Sequence, residues 1–241
     1  MEINPAVTFK HDRSIMYAKR PKVLIVGAGL GGLTLGMLLY KAGIPFEIYE
    51  RAAVVKPLGS AMFFNSTTAP LFKQCGIYDE FLSIGKYLSG ITMCTEERKL
   101  AFKLGFEGHE EVFGANGYIV TRPQLYDLLL RQIPAERVHM NKKVLTTDQG
   151  GNGVLLRFSD GTEAEGDILV GADGAYSAVR QNIYAKLKKA NNLPASDALP
   201  LPFSTVCIVG QTRPLTPEEF PDLGKDQAVF SRVIGADKMY S

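Results

Sequence analysis

Three glycines in the order G-x-G-x-x-G, in Gly27-Ala28-Gly29-Leu30-Gly31-Gly32, are followed about 20 residues later by a carboxylate, Glu50, a spacing that suits a dinucleotide. Each residue type has a physical task. Gly27 permits a tight turn, Gly29 lets the backbone approach a pyrophosphate, and Gly32 lets a helix pack closely on a strand. A helix starting at this loop offers unbonded N–H groups and the positive end of its dipole to phosphates. Glu50 is placed to accept hydrogen bonds from both ribose hydroxyls. A glycine-rich turn with no ligand would not need three glycines in this register.

A second group is Asp173, Gly174, Ser177 and Arg180. Ile168-Leu169-Val170-Gly171 reads as a buried parallel strand, Asp173-Gly174 as a sharp turn at its carboxyl end, and Ser177 onward as a helix. Ligands of open α/β sheets bind at that end of the strands. Asp173 there accepts a hydrogen bond from a ribose, or from a phosphate through water; as a plain structural alternative, it caps the helix that comes after it.

The elements that must position these groups are legible around them. Val23-Leu24-Ile25-Val26 is an apolar strand, the helix after the loop carries Gly36 and ends at Gly43, and Phe46-Glu47-Ile48-Tyr49 is a second strand finishing on Glu50. Lys56-Pro57-Leu58-Gly59-Ser60-Ala61 is a loop of small residues, succeeded by a helix from about Thr67 to Cys75 that Gly76 closes. Leu88 to Leu104 and Tyr118 to Val120 read as strands of a half-exposed sheet. Thr121 or Arg122 starts a helix with Pro123 in its first turn and Leu125, Leu128 and Leu129 on its apolar face. Val138 to Met140 is a short strand, Lys143 to Phe158 with Asp160-Gly161 forms hairpins leading to Glu165, and Gly150-Gly151-Asn152-Gly153 is a turn. Ser204 to Gly210 and Ala228 to Ile234 read as further strands. The fold class is α/β: a Rossmann-like βαβ domain with an inserted, incomplete β-sheet domain.

Composition excludes several other classes. The chain has 241 residues, 27 basic against 25 acidic side chains, and a hydrophobic fraction of 46%, which is that of an ordinary globule. With a net charge of +2 and basic residues scattered apart from Lys186, Lys188 and Lys189, no nucleic-acid partner is expected. Cys75, Cys94 and Cys207 stand far apart, without metal or redox spacing, which suits a reducing compartment. Residues Met1 to Arg20 mix charges throughout, and the longest apolar stretch, Leu30 to Tyr40, is too short to span a bilayer. The expectation is a cytoplasmic protein with no membrane span. His11, His109 and His139 are isolated, His109 within an exposed loop, so no metal site is expected. Phe63, Phe64 and Phe72 are read as core rather than substrate-facing.

Taken together these segments resemble the class A flavin-dependent monooxygenases, the family typified by p-hydroxybenzoate hydroxylase, over most of residues 20–181. The resemblance implies FAD as cofactor, with its pyrophosphate on Gly27, Ala28, Gly29, Leu30, Gly31 and Gly32 and its adenosine ribose on Glu50, next to Arg51. It also implies that Arg122, Ala61 of the small-residue loop, the backbone of Val144 at the adenine, and Asp173 of the D-G-x-x-S-x-x-R segment contact FAD. NADPH or NADH would be the transient reductant, and a small organic molecule the substrate of hydroxylation or epoxidation. No residue is assigned as catalytic acid or base, because in that family the cofactor performs the chemistry. The implied organisation is a FAD-binding domain in residues 20–85 and 121–185, substrate-domain strands in 86–120, and a linker with partial substrate domain in 186–241.

The family's third motif, a Gly-Asp with Pro shortly after, has no match. The expectation is therefore a fragment, a naturally short relative, or a chain that a partner completes. The alternative is a non-catalytic nucleotide-binding module or inactive remnant. An NAD-dependent dehydrogenase would share Val23 to Glu50 but not Asp173 and Arg122 after a sheet excursion. A flavin halogenase would carry a Trp motif, and this chain has no Trp. Monooxygenases with two dinucleotide domains would show a second G-x-G-x-x-G. Strands near Thr205 and Phe230 are expected to leave open edges that favour a homodimer or a mobile tail, with Lys186 to Pro202 as hinge.

Overall fold

A computed structural model of the chain describes residues 20–55, 61–151, 153–199, 208, 210, 212–213, 215–221, 227–235 and the backbone of 239–240. His11, the Lys56 to Ser60 part of the small-residue loop, Cys207 and nearly all of the strand expected at Ser204 to Gly210 lie outside the described residues.

The chain opens with β1 (Val23–Val26), α1 (Leu30–Lys41) and β2 (Phe46–Tyr49). It continues through β3 (Ala61–Phe64), α2 (Ala69–Gln74), α3 (Tyr78–Ile84), β4 (Lys86–Tyr87), β5 (Gly90–Cys94), β6 (Leu100–Gly105) and α4 (His109–Phe113). After β7 (Tyr118–Thr121) and α5 (Arg122–Leu130) come β8 (Val138–His139), β9 (Val144–Gly150), β10 (Gly153–Phe158), β11 (Glu163–Gly166), β12 (Ile168–Gly171) and α6 (Ala178–Lys189). β13 (Phe230–Ile234) and β14 (Met239–Tyr240) close the described chain.

A parallel sheet in the order β12-β1-β2-β8 is built around the first βαβ unit. β1 lies between β12 and β2, with Val23 paired to both Ile168 and Phe46, and all four of its residues are buried. Its pleat divides the interior in two. Val23 and Ile25 join Phe46, Ile48, Leu33 and Met37 in a core roofed by α1 and α5, to which Leu125, Leu128 and Leu129 contribute as expected. Leu24 and Val26 point the other way and join Tyr49, Val144, Leu156, Phe158 and Val179, beneath the β9-β10-β11 sheet and α6. Gly36 allows α1 to sit this low: a Cβ there would fall 2.7 Å from Ile48 Cδ1 and 3.1 Å from Ile133 Cδ1.

The rest forms two smaller sheets, β3-β7-β4 and β14-β13-β5-β6. β13 pairs parallel with β5 although well over a hundred residues separate them, so the end of the described chain returns to the 86–120 excursion. Thr121 caps α5, its Oγ1 accepting from the Gln124 N–H, and Pro123 occupies the first turn.

The strands read over Leu88 to Leu104 are β5 and β6, folded back through a turn where Arg98 takes a φ of +59°. Four expectations need correction. The helix read from Thr67 starts as a 3-10 turn, Ser66–Thr68, capped by Asn65, because Pro70 is tolerated only in the first turn of the α-helix, α2. His109 heads α4 instead of a solvated loop, with its ring 5.2 Å from that of Phe106 and 5.3 Å from that of Phe113. Lys186, Lys188 and Lys189, expected in a hinge, form the last turn of α6, where cations complement the carbonyl end of the dipole. The strand at Phe230, expected to present an open edge, is interior, with β5 on one side and β14 on the other.

Phe64, Phe72 and Phe81 pack together, with Phe72 buried as read, whereas Phe63 is 40% exposed and stacks on Phe106. No described helix is long and apolar enough to cross a membrane.

This packing can be tested in two ways. A Cβ at Gly32 would lie 1.9 Å from the Gly27 carbonyl oxygen, whereas at Gly29 and Gly31 it would meet no atom of the described residues within 4 Å. Gly32→Ala is expected to cost about 1–3 kcal/mol in urea unfolding, while Gly29→Ala and Gly31→Ala stay within about 1 kcal/mol of the native chain; equal midpoints for all three would overturn the packing argument. Burial, and secondarily the charge of Glu47, push the Tyr49 phenol up to about 12. The unfolded chain then loses this proton near pH ~10 while the folded chain keeps it, so stability drains away as pH rises between those values. Tyr49→Phe is expected to flatten the loss in that window, and a slope identical to the native chain's would refute it.

Candidate functional site

The carboxyl ends of β1 and β12 face a cleft of about 400 Å³, the place where open α/β sheets bind ligands. Its floor is the glycine loop. Gly27 turns with φ +104°, and its Cα is so close to the end of β12 that a Cβ would lie 2.4 Å from the Ala172 carbonyl oxygen. Gly27 and Gly32 are therefore fixed by contacts within the protein. Gly29 and Gly31 are not: neither takes a positive φ, both line the cleft, and a methyl group at either would project into open space. Among the described residues, no steric contact accounts for glycine at these two positions.

The same loop leaves α1 without a side-chain cap. Gly29 is its N-cap, no acidic residue occupies the first turn, and its first intrahelical hydrogen bond is Leu33 N–H to Gly29 O at 2.9 Å. The preceding N–H groups and the positive dipole end open on the cleft, an arrangement that binds anions.

Glu50 holds the loop. Its Oε2 accepts from the Ala28 N–H and its Oε1 from the Ala52 N–H, each at 2.9 Å, so the carboxylate ties the glycine turn to the end of β2. Its remaining lone pairs are left for further donors on the cleft side. Asp173 is likewise doubly employed. Oδ2 accepts from the N–H groups of Ala178 (2.6 Å) and Val179 (3.3 Å), while the N-cap of α6 itself is Ser177, whose Oγ accepts from Arg180 N–H at 3.0 Å. Its Oδ1 is buried, lines the same cleft through its residue, and has no hydrogen-bond partner among the described residues. An orphaned buried carboxylate oxygen is costly unless a ligand meets it.

Cations ring the opening. Arg51 adjoins Glu50, Arg122 heads α5, and Lys142 and Lys143 precede Val144, whose buried side chain opens β9. Lys142 Nζ donates to Asp160 Oδ2 (2.6 Å) and Thr162 Oγ1 (2.8 Å), and these bonds hold the Asp160 carboxyl well below the usual carboxylate range. Arg51, Arg122 and Lys143, with Lys142 already paired to Asp160, thus stand beside two carboxylates that are bonded to backbone N–H groups, a balance suited to an anionic ligand.

Of the expected residues, Gly27, Gly29, Leu30, Gly31, Glu50, Arg51, Arg122, Val144 and Asp173 line this one cleft. Ala28 acts beneath it through its N–H, and Gly32 by packing. Ala61 does not line it. It is exposed in β3 and pairs with Thr121, one residue before Arg122. The sequence reading missed Tyr49, Lys142, Lys143 and Tyr176. Tyr49 had a signal, since its alternation with Ile48 turns it away from the α1 core toward the strand's cleft side. There it stacks on His139 at 5.0 Å, while Glu47 bridges Arg137 (2.9 Å) and His139 (2.6 Å) along the β2 edge. Lys142 had none in the sequence: its place comes from Asn141, at φ +60°, and from its own N–H donating to Glu50 O at 2.7 Å.

The FAD binding domain family matches this chain over residues 20–209. Aurachin C monooxygenase/isomerase of Stigmatella aurantiaca is 32% identical over 161 residues, covering 67% of this chain and 42% of that protein. FAD-dependent monooxygenase pytG of Aspergillus terreus is 32% identical over 206 residues, covering 84% of this chain and 60% of that protein. The crystal structure of Klebsiella pneumoniae HpxO complexed with FAD and uric acid superposes with a TM-score of 0.60 at 26% identity, covering 66% of this chain and 40% of that one. The chain spans about half the length of the curated relatives it matches. With a match across 190 of its 241 residues, the chain belongs to the FAD binding domain family, in the lineage of the p-hydroxybenzoate hydroxylase-like, class A FAD-dependent monooxygenases.

Proposed function

We propose that this chain holds FAD in the cleft between β1 and β12, as the cofactor-binding part of an NAD(P)H- and O2-dependent monooxygenase that hydroxylates or epoxidises a small organic substrate. One observation carries the reading: Gly29 and Gly31 are bare where no atom of the described residues requires it, at the start of α1, which has no side-chain cap among them. Their N–H groups bind the pyrophosphate. Glu50, held by Ala28 and Ala52, orients the adenosine ribose, and the Val144 backbone with Tyr49 borders the adenine. Arg51, Arg122, Lys142 and Lys143 neutralise the phosphates, and Asp173 Oδ1 accepts a hydrogen bond from the cofactor. When bound, FAD supplies hydride acceptance from the nicotinamide and the activation of O2. The protein contributes position and shielding, and no side chain of the cleft is needed as an acid or base. A cytoplasmic setting, where NAD(P)H is available, agrees with the free thiols of Cys75 and Cys94. The same reading includes self-association through the smaller sheet.

Purified protein mixed with FAD and freed of excess is expected to keep a flavin absorption spectrum. Gly29→Ala and Gly31→Ala are expected to weaken FAD binding at least about tenfold, equivalent to ~1.4 kcal/mol, without the stability loss of Gly32→Ala. Colourless native protein, or a Gly31→Ala variant that binds FAD as the native chain does, would sink the cleft assignment. Retained FAD without NADPH oxidation would leave a nucleotide-binding module and refute the activity.

A further inference from the structure

β6 is the outer strand of the β14-β13-β5-β6 sheet, and among the described residues it has a strand partner only on its β5 side. All six of its residues are exposed, and its large apolar ones strongly so: Leu100 at 67%, Phe102 at 54% and Leu104 at 52%. Alternate residues of a strand share a face, so these three lie on one side and Ala101 and Lys103 on the other. The apolar side continues inward, with Ile91 opposite Leu104, Met93 opposite Phe102, and Phe230 of β13 opposite Ile91. An apolar sheet face thus runs out to an open hydrogen-bonding edge, which is a template for another strand.

We infer that this edge takes a second copy of the chain, β6 pairing antiparallel with its equivalent about a two-fold axis at Phe102. The inference rests on the self-association proposed above and assigns its surface. The strand Leu100-Ala101-Phe102-Lys103-Leu104 is its own complement. With the axis at Phe102, Leu100 comes opposite Leu104 of the second copy, Phe102 opposite its equivalent, and Lys103 opposite Ala101. An isologous contact needs this kind of self-matching. Neighbouring registers fail on charge or on pleat. An axis at Lys103 sets the two lysines face to face, and an axis at Ala101 sets Lys103 opposite Lys99, like-charge pairs that destabilise a ladder. A slip of half that step joins the apolar face of one copy to the polar face of the other. Lys103 also lies 3.5 Å from Glu107, an exposed pair too weak to remove the repulsion.

Light scattering of the 241-residue chain over a range of concentrations is expected to show a dimer at twice the 26.4 kDa monomer mass, with the outward β6 amides protected from hydrogen exchange only when dimeric. Phe102→Lys sets two ammonium groups together on the axis and is expected to raise the dimer dissociation constant at least about tenfold. Phe102→Cys is expected to cross-link through a short bis-maleimide beyond the background of the native cysteines, a result that does not depend on the lysine variant folding. A native chain that stays monomeric with β6 unprotected refutes both this surface and the self-association it rests on. A monomer with β6 protected shows the edge covered by the chain's own residues and refutes the inference. A dimer that survives Phe102→Lys with native circular dichroism, or gives no cross-link at residue 102, keeps self-association but overturns this surface.

Discussion

The crossing of the glycine loop over the ends of β1 and β12 leaves no room for a methyl group at two points, and the remaining architecture is arranged around that closeness. Gly27 passes against the Ala172 backbone, and Gly32 lies over the Gly27 carbonyl. Because α1 is brought so near, its first N–H groups open on the carboxyl ends of two adjacent strands instead of on bulk water. The position of β12 matters as much as that of the loop. Without Ala172 beside Gly27, the cleft would have one wall, and Asp173 would bond the start of a helix far from any ligand.

Glu50 and Asp173 share a logic that a reading of isolated motifs misses. Each uses backbone-bonded oxygen to fix local structure and leaves further acceptor capacity toward the cleft. A carboxylate anchored by two N–H groups loses little conformational entropy when a hydroxyl arrives, since its rotamer is already chosen. The cleft is therefore preorganised by the same bonds that shape the loop: at Asp173 one oxygen is bonded and the other is left over, while at Glu50 both oxygens are bonded and only further lone pairs remain.

The βαβ unit and its site were legible from the sequence because local rules and tertiary demands coincide there. Val23–Val26 is apolar on both faces because both faces are covered, Gly27 and Gly32 are glycine for steric reasons, and Thr121-Arg122-Pro123 carries its own helix-start chemistry. The failures occur where tertiary contact decides. Nothing local says that 109–113 will coil around a histidine packed between two phenylalanine rings, or that Phe230–Ile234 will insert between β5 and β14. Lys142 reaches the cleft through a left-handed residue and a bond to the Glu50 carbonyl, both products of the completed fold. The family resemblance also placed Ala61 with the cofactor; in the fold it pairs with Thr121, next to Arg122, and is not among the residues that line the cleft.

The electrostatics of the cleft link its ligand to the stability of the domain. Arg51, Arg122, Lys142 and Lys143 converge on a space whose two carboxylates already serve backbone donors, and Asp173 Oδ1 is desolvated without a partner among the described residues. The folded chain alone thus carries an unmet acceptor beside a cluster of cations, which a polyanion that also donates a hydrogen bond would complement. A ligand bound only by the folded state stabilises it in proportion to the logarithm of its saturation, by about 2.7 kcal/mol at a hundred times its dissociation constant. The elements that benefit most are those the cleft joins: the loop from Gly27 to Gly32, the end of β2 at Glu50, and the turn from Asp173 into α6. Removing the bonds from Asp173 to the start of α6 and removing its ligand would loosen the same turn, since one carboxylate serves both through different oxygens. With the proposed cofactor seated on these groups, its affinity and the local folding of the turn would be two measures of one set of contacts.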